Sequence, residues 1–356
     1  MSAPHSGIDI ETHIHFDGAR ELIPILPNLH RLTYKNTQKY PFATWRNHLD
    51  QIREWFGNPL KGDIVKKFSL TTGVLQDKDT LFLAAENFVE MSARRGYRYR
   101  ETIIAPQYCT FKGLTEKEVL DELIAGIKAG EAKNPNIEVN LIPAVGREVS
   151  SDEAVRLVRV FAECDPSYTP MFTLVCDEAK HPPEKHIAMY REIEAVGRKK
   201  GCHVSEWVHN PDTQNGDLKR DLPQLIKNAR TAIFELKINR AEHLRILAYD
   251  DKLIKTVIDR GIGVTMCPSS YLNTEAIADI KELMIDQLLD AGVLLSLHSD
   301  DDLFMESLDE MFHRCNLVYK FTHEQKQRLR VNAWRTRFGN RKPVPEDVVR
   351  QYPRLP

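Results

Sequence analysis

A (β/α)8 barrel is the fold class this sequence predicts, and three observations predict it. Short β-rich stretches recur eight times, amphipathic helical patterns lie between them, and the last two stretches, GVTMCP and VLLSLHSD, are near-continuous apolar runs. Such runs suit parallel strands buried on both faces. Strand then helix, repeated eight times, closes into a barrel or opens into a doubly wound sheet. A glycine-rich phosphate loop after the first strand would favour the open sheet, and none follows IDIETHIH.

The elements follow in order. IDIETHIH (8–15) is the first strand, and residues 19–80 after it form a Pro-punctuated, partly helical insertion. It lies on the side where barrel enzymes carry their active-site loops, so a helical lid is expected there. The period of TLFLAAENFVEMSARRG (80–96) predicts a helix, and YRYRETII (97–104) the second strand. Helices are expected over 116–132, 152–163 and 185–201, with VNLIPAV (139–145) and MFTLVC (171–176) as the strands between them. CHVSEW (202–207), INRAEH (238–243), GVTMCP (263–268) and VLLSLHSD (293–300) complete the eight. One domain over 1–356 is expected: a catalytic barrel from 8 to 338 and a tail, 339–356, whose four prolines and weak periodicity predict loose packing.

The 356 residues are 42 % apolar and 28 % charged, enough for a sizeable core. With 49 Lys+Arg against 51 Asp+Glu, the chain has no broad positive field for nucleic acid. The six cysteines form no C-x-x-C pair, which suits a reducing compartment. The opening MSAPHSGIDI lacks the blocks of a signal peptide, and no apolar run suffices for a membrane span. A cytoplasmic protein, monomeric or weakly oligomeric, is the expectation.

Candidate chemistry gathers at strand ends. His13 and His15 alternate on the first strand, so both face the barrel interior. His203 ends the fifth strand with Glu206 three residues on, and Asp300 ends the eighth with Asp301 beside it. Only a barrel brings these together. His13, His15, His203 and Asp300 then form a nitrogen and oxygen set suited to one Zn²⁺, with His243 after the sixth strand as a nearby base.

On these residues the sequence resembles the adenosine/adenine deaminases, barrel aminohydrolases acting on the 6-amino group of purines. THIHFDGA resembles the family's H-x-H-x-D-G opening, HVSE (203–206) its H-x-x-E motif, and SLHSDDDLF (296–304) its aspartate-pair motif. EHL (242–244) stands where the family has a Gly-His-Gly step. The resemblance implies His13, His15, His203 and Asp300 as zinc ligands. It implies Glu206 as the proton donor to purine N1, His243 as the group that orients and deprotonates the attacking water, and Asp301 as its helper. Asp17, His15, Cys176 and Asp301 would line the substrate. The implied reaction is deamination of a purine nucleoside or base, adenosine or deoxyadenosine first, with adenine or an N6-substituted AMP as alternatives. No basic cluster marks the expected mouth, so a phosphate is expected to be disfavoured.

Four departures bear on this reading. Cys176 replaces a glycine that lies against the purine, Glu242 and Leu244 replace the glycines flanking His243, Asp302 replaces a proline, and Ile103 and Ala105 stand where polar residues are common. They predict a narrower pocket, an altered loop at His243 and extra negative charge at the metal. They also keep open a purine-binding member that has lost turnover. A two-metal hydrolase would need a bridging group, often a modified lysine, on the fourth strand, and MFTLVC has none. The P-C-x-x-C signature of the cytidine-deaminase zinc site is absent. Trp207 and His209 could line the pocket or pack; His181, His186, His298, Cys202 and Cys267 are read as structural.

Overall fold

Almost every strand residue is buried, the charged ones of the barrel interior included, and this burial on both faces is what a parallel barrel requires. In the computed structural model, which describes residues 6–25, 64–209 and 216–351, eight parallel strands follow one another in sequence order. They are β1 (Ile10–His15), β2 (Tyr99–Ile104), β3 (Glu138–Gly146), β4 (Met171–Val175), β5 (Lys199–Val204), β6 (Arg240–His243), β7 (Gly263–Met266) and β8 (Leu295–Leu297). A parallel bridge between Ile14 and Asp300 closes the ring. At this seam His15 N donates to Asp300 O at 2.8 Å, and Thr12 N donates to the Nδ1 of His298 at 3.2 Å.

Helices surround the ring, and capping side chains set their starts. They include α1 (Ile64–Val74), α2 (Lys78–Arg94), α3 (Glu116–Lys133), α4 (Ser151–Ala162), α5 (Ile187–Ala195) and α6 (Leu218–Arg230). After them come α7 (Asp251–Arg260), α8 (Pro268–Asn273), α9 (Ile285–Asp290), α10 (Leu308–Tyr319), α11 (His323–Arg335) and α12 (Glu346–Gln351). Thr115 and Glu118 form a reciprocal capping box on α3, and Ser307 with Glu310 does the same on α10. No helix among the described residues is long and apolar enough to cross a membrane.

Two expectations need correction. The helix expected over 185–201 stops at Ala195, because Gly197 takes φ 71° and Arg198 N closes back on Ile193 O, so Lys199 already begins β5. The segment from 339 is packed, not loose, as far as Gln351. Gly339 N donates to the Tyr99 hydroxyl at 2.7 Å, Arg341 pairs with Glu131 at 2.6 Å, and Asp347 pairs with Arg330 at 2.7 Å. These contacts cover the strand N-termini, the end of the barrel opposite the chemistry. Their partners lie far away in sequence, so local periodicity could not announce them.

Of the insertion after β1, the described parts are a buried turn at Arg20–Leu22 and α1. The Phe68 ring on α1 meets His15 at 6.0 Å and Phe304 at 5.0 Å between centroids, so this helix stands beside the mouth. The remainder of the expected lid, 26–63, lies outside the described residues.

Candidate metal centre and active site

Strand ends carry the site, and four of them turn on residues in the left-handed region. Cys176 (φ 78°), Ser205 (56°), His243 (75°) and Asp300 (66°) follow or end β4, β5, β6 and β8. Each such residue costs about 1–3 kcal/mol, which the surrounding packing must supply. On a regular β6, alternation would send Glu242 inward and His243 outward. The positive φ at His243 turns its ring back, and its centroid lies 4.7 Å from that of His13 and 4.9 Å from that of His203.

The side chains expected as ligands converge. His13 Nε2 and His15 Nε2 each lie 3.4 Å from Asp300 Oδ1, and His15 Nε2 lies 3.1 Å from His203 Nε2. Ligand atoms of His13, His203, His243 and Asp300 all fall within 4.8 Å of one another. A tetrahedral ion with bonds of about 2.0–2.1 Å separates its ligands by about 3.3 Å, so the spacing fits a metal. The buried His13 Nε2 and Asp300 Oδ1 have no hydrogen-bond partner in the protein, an arrangement that a bound cation would satisfy. Outer partners orient two of the rings: His13 Nδ1 lies 2.8 Å from Thr265 Oγ1, and His203 Nδ1 lies 2.9 Å from Glu242 Oε2.

Burial pushes the His15 ring down to about 3 despite the nearby Asp300, and pushes His203 and His243 down as well, so all three rings are neutral donors at pH 7. Burial would raise Asp300, but the adjacent His13, His243 and His15 rings hold it well below the usual carboxylate range.

Glu206 lies across from this cluster. Its Oε2 is 3.4 Å from His243 Nε2, and Ser270 Oγ donates to its Oε1 at 3.3 Å. Burial, followed by the charges of Asp300 and Glu178, raises the Glu206 carboxyl well above its ordinary value, a shift that favours its protonated form. Asp301 is raised by burial and by Asp300, Asp17 and Glu206, and its buried Oδ1 is unpartnered. Asp17 is buried and pushed up to about 7 by desolvation.

The departures resolve in physical terms. The loop at His243 keeps left-handed geometry without glycine, since His243 and Leu244 (φ 47°) adopt it themselves. Glu242, expected only to disturb that loop, is a strand residue inside the barrel, with its Oε2 2.9 Å from His203 Nδ1. Asp302 does not add free charge at the histidine cluster: its carboxylate takes Arg20 N at 2.8 Å and Arg95 at 2.9 Å. Cys176 is exposed at the end of β4, with its Sγ 3.4 Å from the Tyr108 hydroxyl.

His209 packs, with Nε2 3.0 Å from Thr274 O and Nδ1 3.4 Å from Asp221, while Trp207 is half-buried. His298 serves the β1/β8 seam, and Cys202 and Cys267 are buried. Sequence reasoning missed Glu178, Glu242, Arg245, Thr265 and Ser270. Glu178 accepts from Ser205 N and Glu206 N, and Arg245 Nε donates to Glu206 O at 2.6 Å. Only Glu242, already marked as a departure, carried a local signal.

Comparison with known proteins agrees with this architecture. The chain is 24 % identical over 334 residues to an adenosine deaminase of Clostridium perfringens, covering 92 % of this chain and 93 % of that one. The crystal structure of an adenine deaminase from Arthrobacter aurescens superposes with a TM-score of 0.75 at 19 % identity, covering 96 % of this chain and 95 % of that one. That of an Arabidopsis N6-mAMP deaminase does so with a TM-score of 0.72 at 18 % identity, covering 97 % and 96 %. The family model for adenosine deaminase matches residues 9–344, and the chain therefore belongs to the adenosine deaminase family, hydrolases that deaminate purines.

Proposed function

We propose that the protein is a hydrolase that uses one Zn²⁺ per chain to replace the 6-amino group of a purine by oxygen, releasing ammonia. Adenosine and deoxyadenosine are the leading substrates. Adenine and an N6-substituted AMP are the alternatives, suggested by what the structural relatives are named for. The observation that carries the reading is the spacing of His13, His15, His203 and Asp300, with Glu206 beside them near His243.

In this reading His13, His15, His203 and Asp300 hold the ion, which when bound makes a water acidic enough to ionise near neutral pH. His243, neutral and within reach of the cluster, takes the proton released by the attacking water and returns it to the amino group as the carbon–nitrogen bond breaks and ammonia leaves, and Asp301 orients that water and meets the purine edge. Attack at an aromatic carbon destroys ring aromaticity unless a ring nitrogen is protonated together with it. Glu206 holds that proton and delivers it to N1. Asp17, His15 and Cys176 line the purine and its N9 substituent.

Support for an unphosphorylated substrate comes from the ends of β2 to β4. Tyr108 donates its hydroxyl to Glu148 there and neighbours Cys176, and a carboxylate beside the cleft repels a phosphate.

The test is zinc analysis of the purified chain with ammonia release measured on adenosine, deoxyadenosine, adenine, AMP and N6-methyl-AMP. Glu206→Gln is the control, expected to keep nucleoside binding and to lose at least about 10²-fold in kcat. Absence of turnover on all five would overturn the reading, and preference for either nucleotide would overturn the substrate order.

A further inference from the structure

The barrel interior below the metal cluster holds a continuous line of buried charged groups. Glu242, fully buried on β6, has its Oε2 2.9 Å from His203 Nδ1 and accepts on that oxygen from Thr173 Oγ1. Its Oε1 is 3.2 Å from one arm of Arg240, whose other arm pairs with Glu101. Glu101 Oε1 takes the Tyr99 hydroxyl at 2.5 Å and Phe338 N at 2.6 Å, and the Phe338 ring covers the Arg240 guanidinium at 5.1 Å. The line thus runs from the candidate ligand His203 to the segment that covers the opposite end of the barrel.

We infer that Glu242 is a positioning residue for His203 and sets the affinity of this protein for zinc through the buried chain His203–Glu242–Arg240–Glu101. The inference rests on the reading of His203 as a metal ligand. A histidine has two ring nitrogens, and a carboxylate on one decides which carries hydrogen. With Nδ1–H given to Glu242, the lone pair sits on Nε2, the atom 3.1 Å from His15 Nε2. The carboxylate also makes the ring a stronger donor and stops it rotating. Arg240 fixes Glu242 in turn, and Glu101 and Phe338 fix Arg240. A glycine at position 242 could do none of this.

The experiment uses the full chain stripped of metal, its zinc dissociation constant read by competition with a chromophoric chelator. Glu242→Gly is expected to weaken zinc by about 10- to 100-fold, and Glu242→Gln, which keeps an oxygen acceptor, by less. Should the glycine variant not fold, Thr173→Val, which removes only a donor to Glu242, is expected to shift the constant in a smaller but measurable way. Nitrogen correlation spectra of the zinc-free parent are expected to place the His203 proton on Nδ1, a signature that general loss of stability would not produce. Unchanged zinc affinity in both Glu242→Gly and Thr173→Val, or the His203 proton on Nε2, would overturn the inference alone. Failure of the parent to bind zinc would instead overturn the ligand reading beneath it.

Discussion

The carboxylate of Glu178, in the loop after β4, receives the backbone N–H groups that lead into and belong to Glu206, from Ser205 N at 3.0 Å and Glu206 N at 3.3 Å. Asn228 Nδ2 holds the same carboxylate at 2.8 Å. Ser205 sits at φ 56°, so the turn presenting Glu206 is held in an unfavourable conformation by this anchor. A carboxylate 28 residues earlier, in the loop after the neighbouring strand, thereby decides where the proposed acid stands.

Glu178→Ala should leave two backbone donors without their partner, at about 1–3 kcal/mol each where water cannot replace it. The turn should relax and displace Glu206. A misplacement of about 1 Å can cost about 10²-fold in rate, so kcat should fall by about that factor while KM changes little. Glu178→Gln, which keeps one oxygen acceptor, should recover part of the loss. Steady-state kinetics of the two variants with chemical denaturation checks both halves, and an unchanged kcat in the alanine variant would refute the anchoring role.

The barrel was legible in the sequence because its evidence is local: each strand is a short run of buried residues, and each helix carries its own period. The residues proposed as ligands could be picked out because H-x-H, H-x-x-E and the aspartate pair stand at strand ends, where barrel closure alone makes them neighbours. What escaped is non-local. Glu178 reads as one of many surface glutamates until β5 is placed beside it, and Glu242 reads as a lost glycine until the inward face of β6 is known. Gly197 is a local stop for α5, and the helical pattern that continues beyond it in the sequence belongs to β5.

Arg100 occupies a wholly buried position between two glutamates, with Glu11 Oε2 at 2.5 Å and Glu21 Oε1 at 2.7 Å, and Ser92 Oγ at 2.8 Å. Glu21 belongs to the turn that begins the insertion and also pairs with Arg95 at 2.7 Å. Removing the guanidinium strands buried negative charge, so Arg100→Met should cost about 3–5 kcal/mol. The triple change Arg100→Met with Glu11→Gln and Glu21→Gln should recover much of it, because neutral amides need no countercharge. Equilibrium denaturation of both proteins decides the matter. No recovery in the triple variant would mean that packing, not charge, is what Arg100 supplies.

Asp9 predicts a pH dependence of stability. Burial would raise its carboxyl, but the Arg330 hydrogen bond and charge, with Arg98 and Trp334 Nε1, hold it below the model-peptide value of 3.8. A group lowered on folding stabilises the folded chain above its unfolded pKa and loses that contribution as pH falls through its folded pKa. The parent should therefore lose more stability between pH 6 and pH 3 than Asp9→Asn, which has no carboxyl to protonate. Unfolding free energies at the two pH values give the comparison. Equal losses would show that Asp9 titrates alike in the folded and unfolded chain.

Gly18 follows Asp17 in the loop after β1, and a Cβ built on it would lie 1.9 Å from Asp301 Oδ1 and 2.8 Å from its Cγ. Asp301 is buried and follows directly on Asp300. It cannot yield to a methyl group without moving toward the metal cluster or turning its carboxylate off the site. Gly18→Ala should therefore fold, since the loop sits at the mouth and the seam hydrogen bonds between β1 and Asp300 do not involve its side chain. It should retain zinc and lose about 10²-fold in kcat, the scale expected when a reacting group is displaced by about 1 Å. Metal content and kcat measured together separate this outcome from simple loss of the ion. A variant with full activity would show that Asp301 can move freely, and would remove it from the group of residues proposed to orient the attacking water.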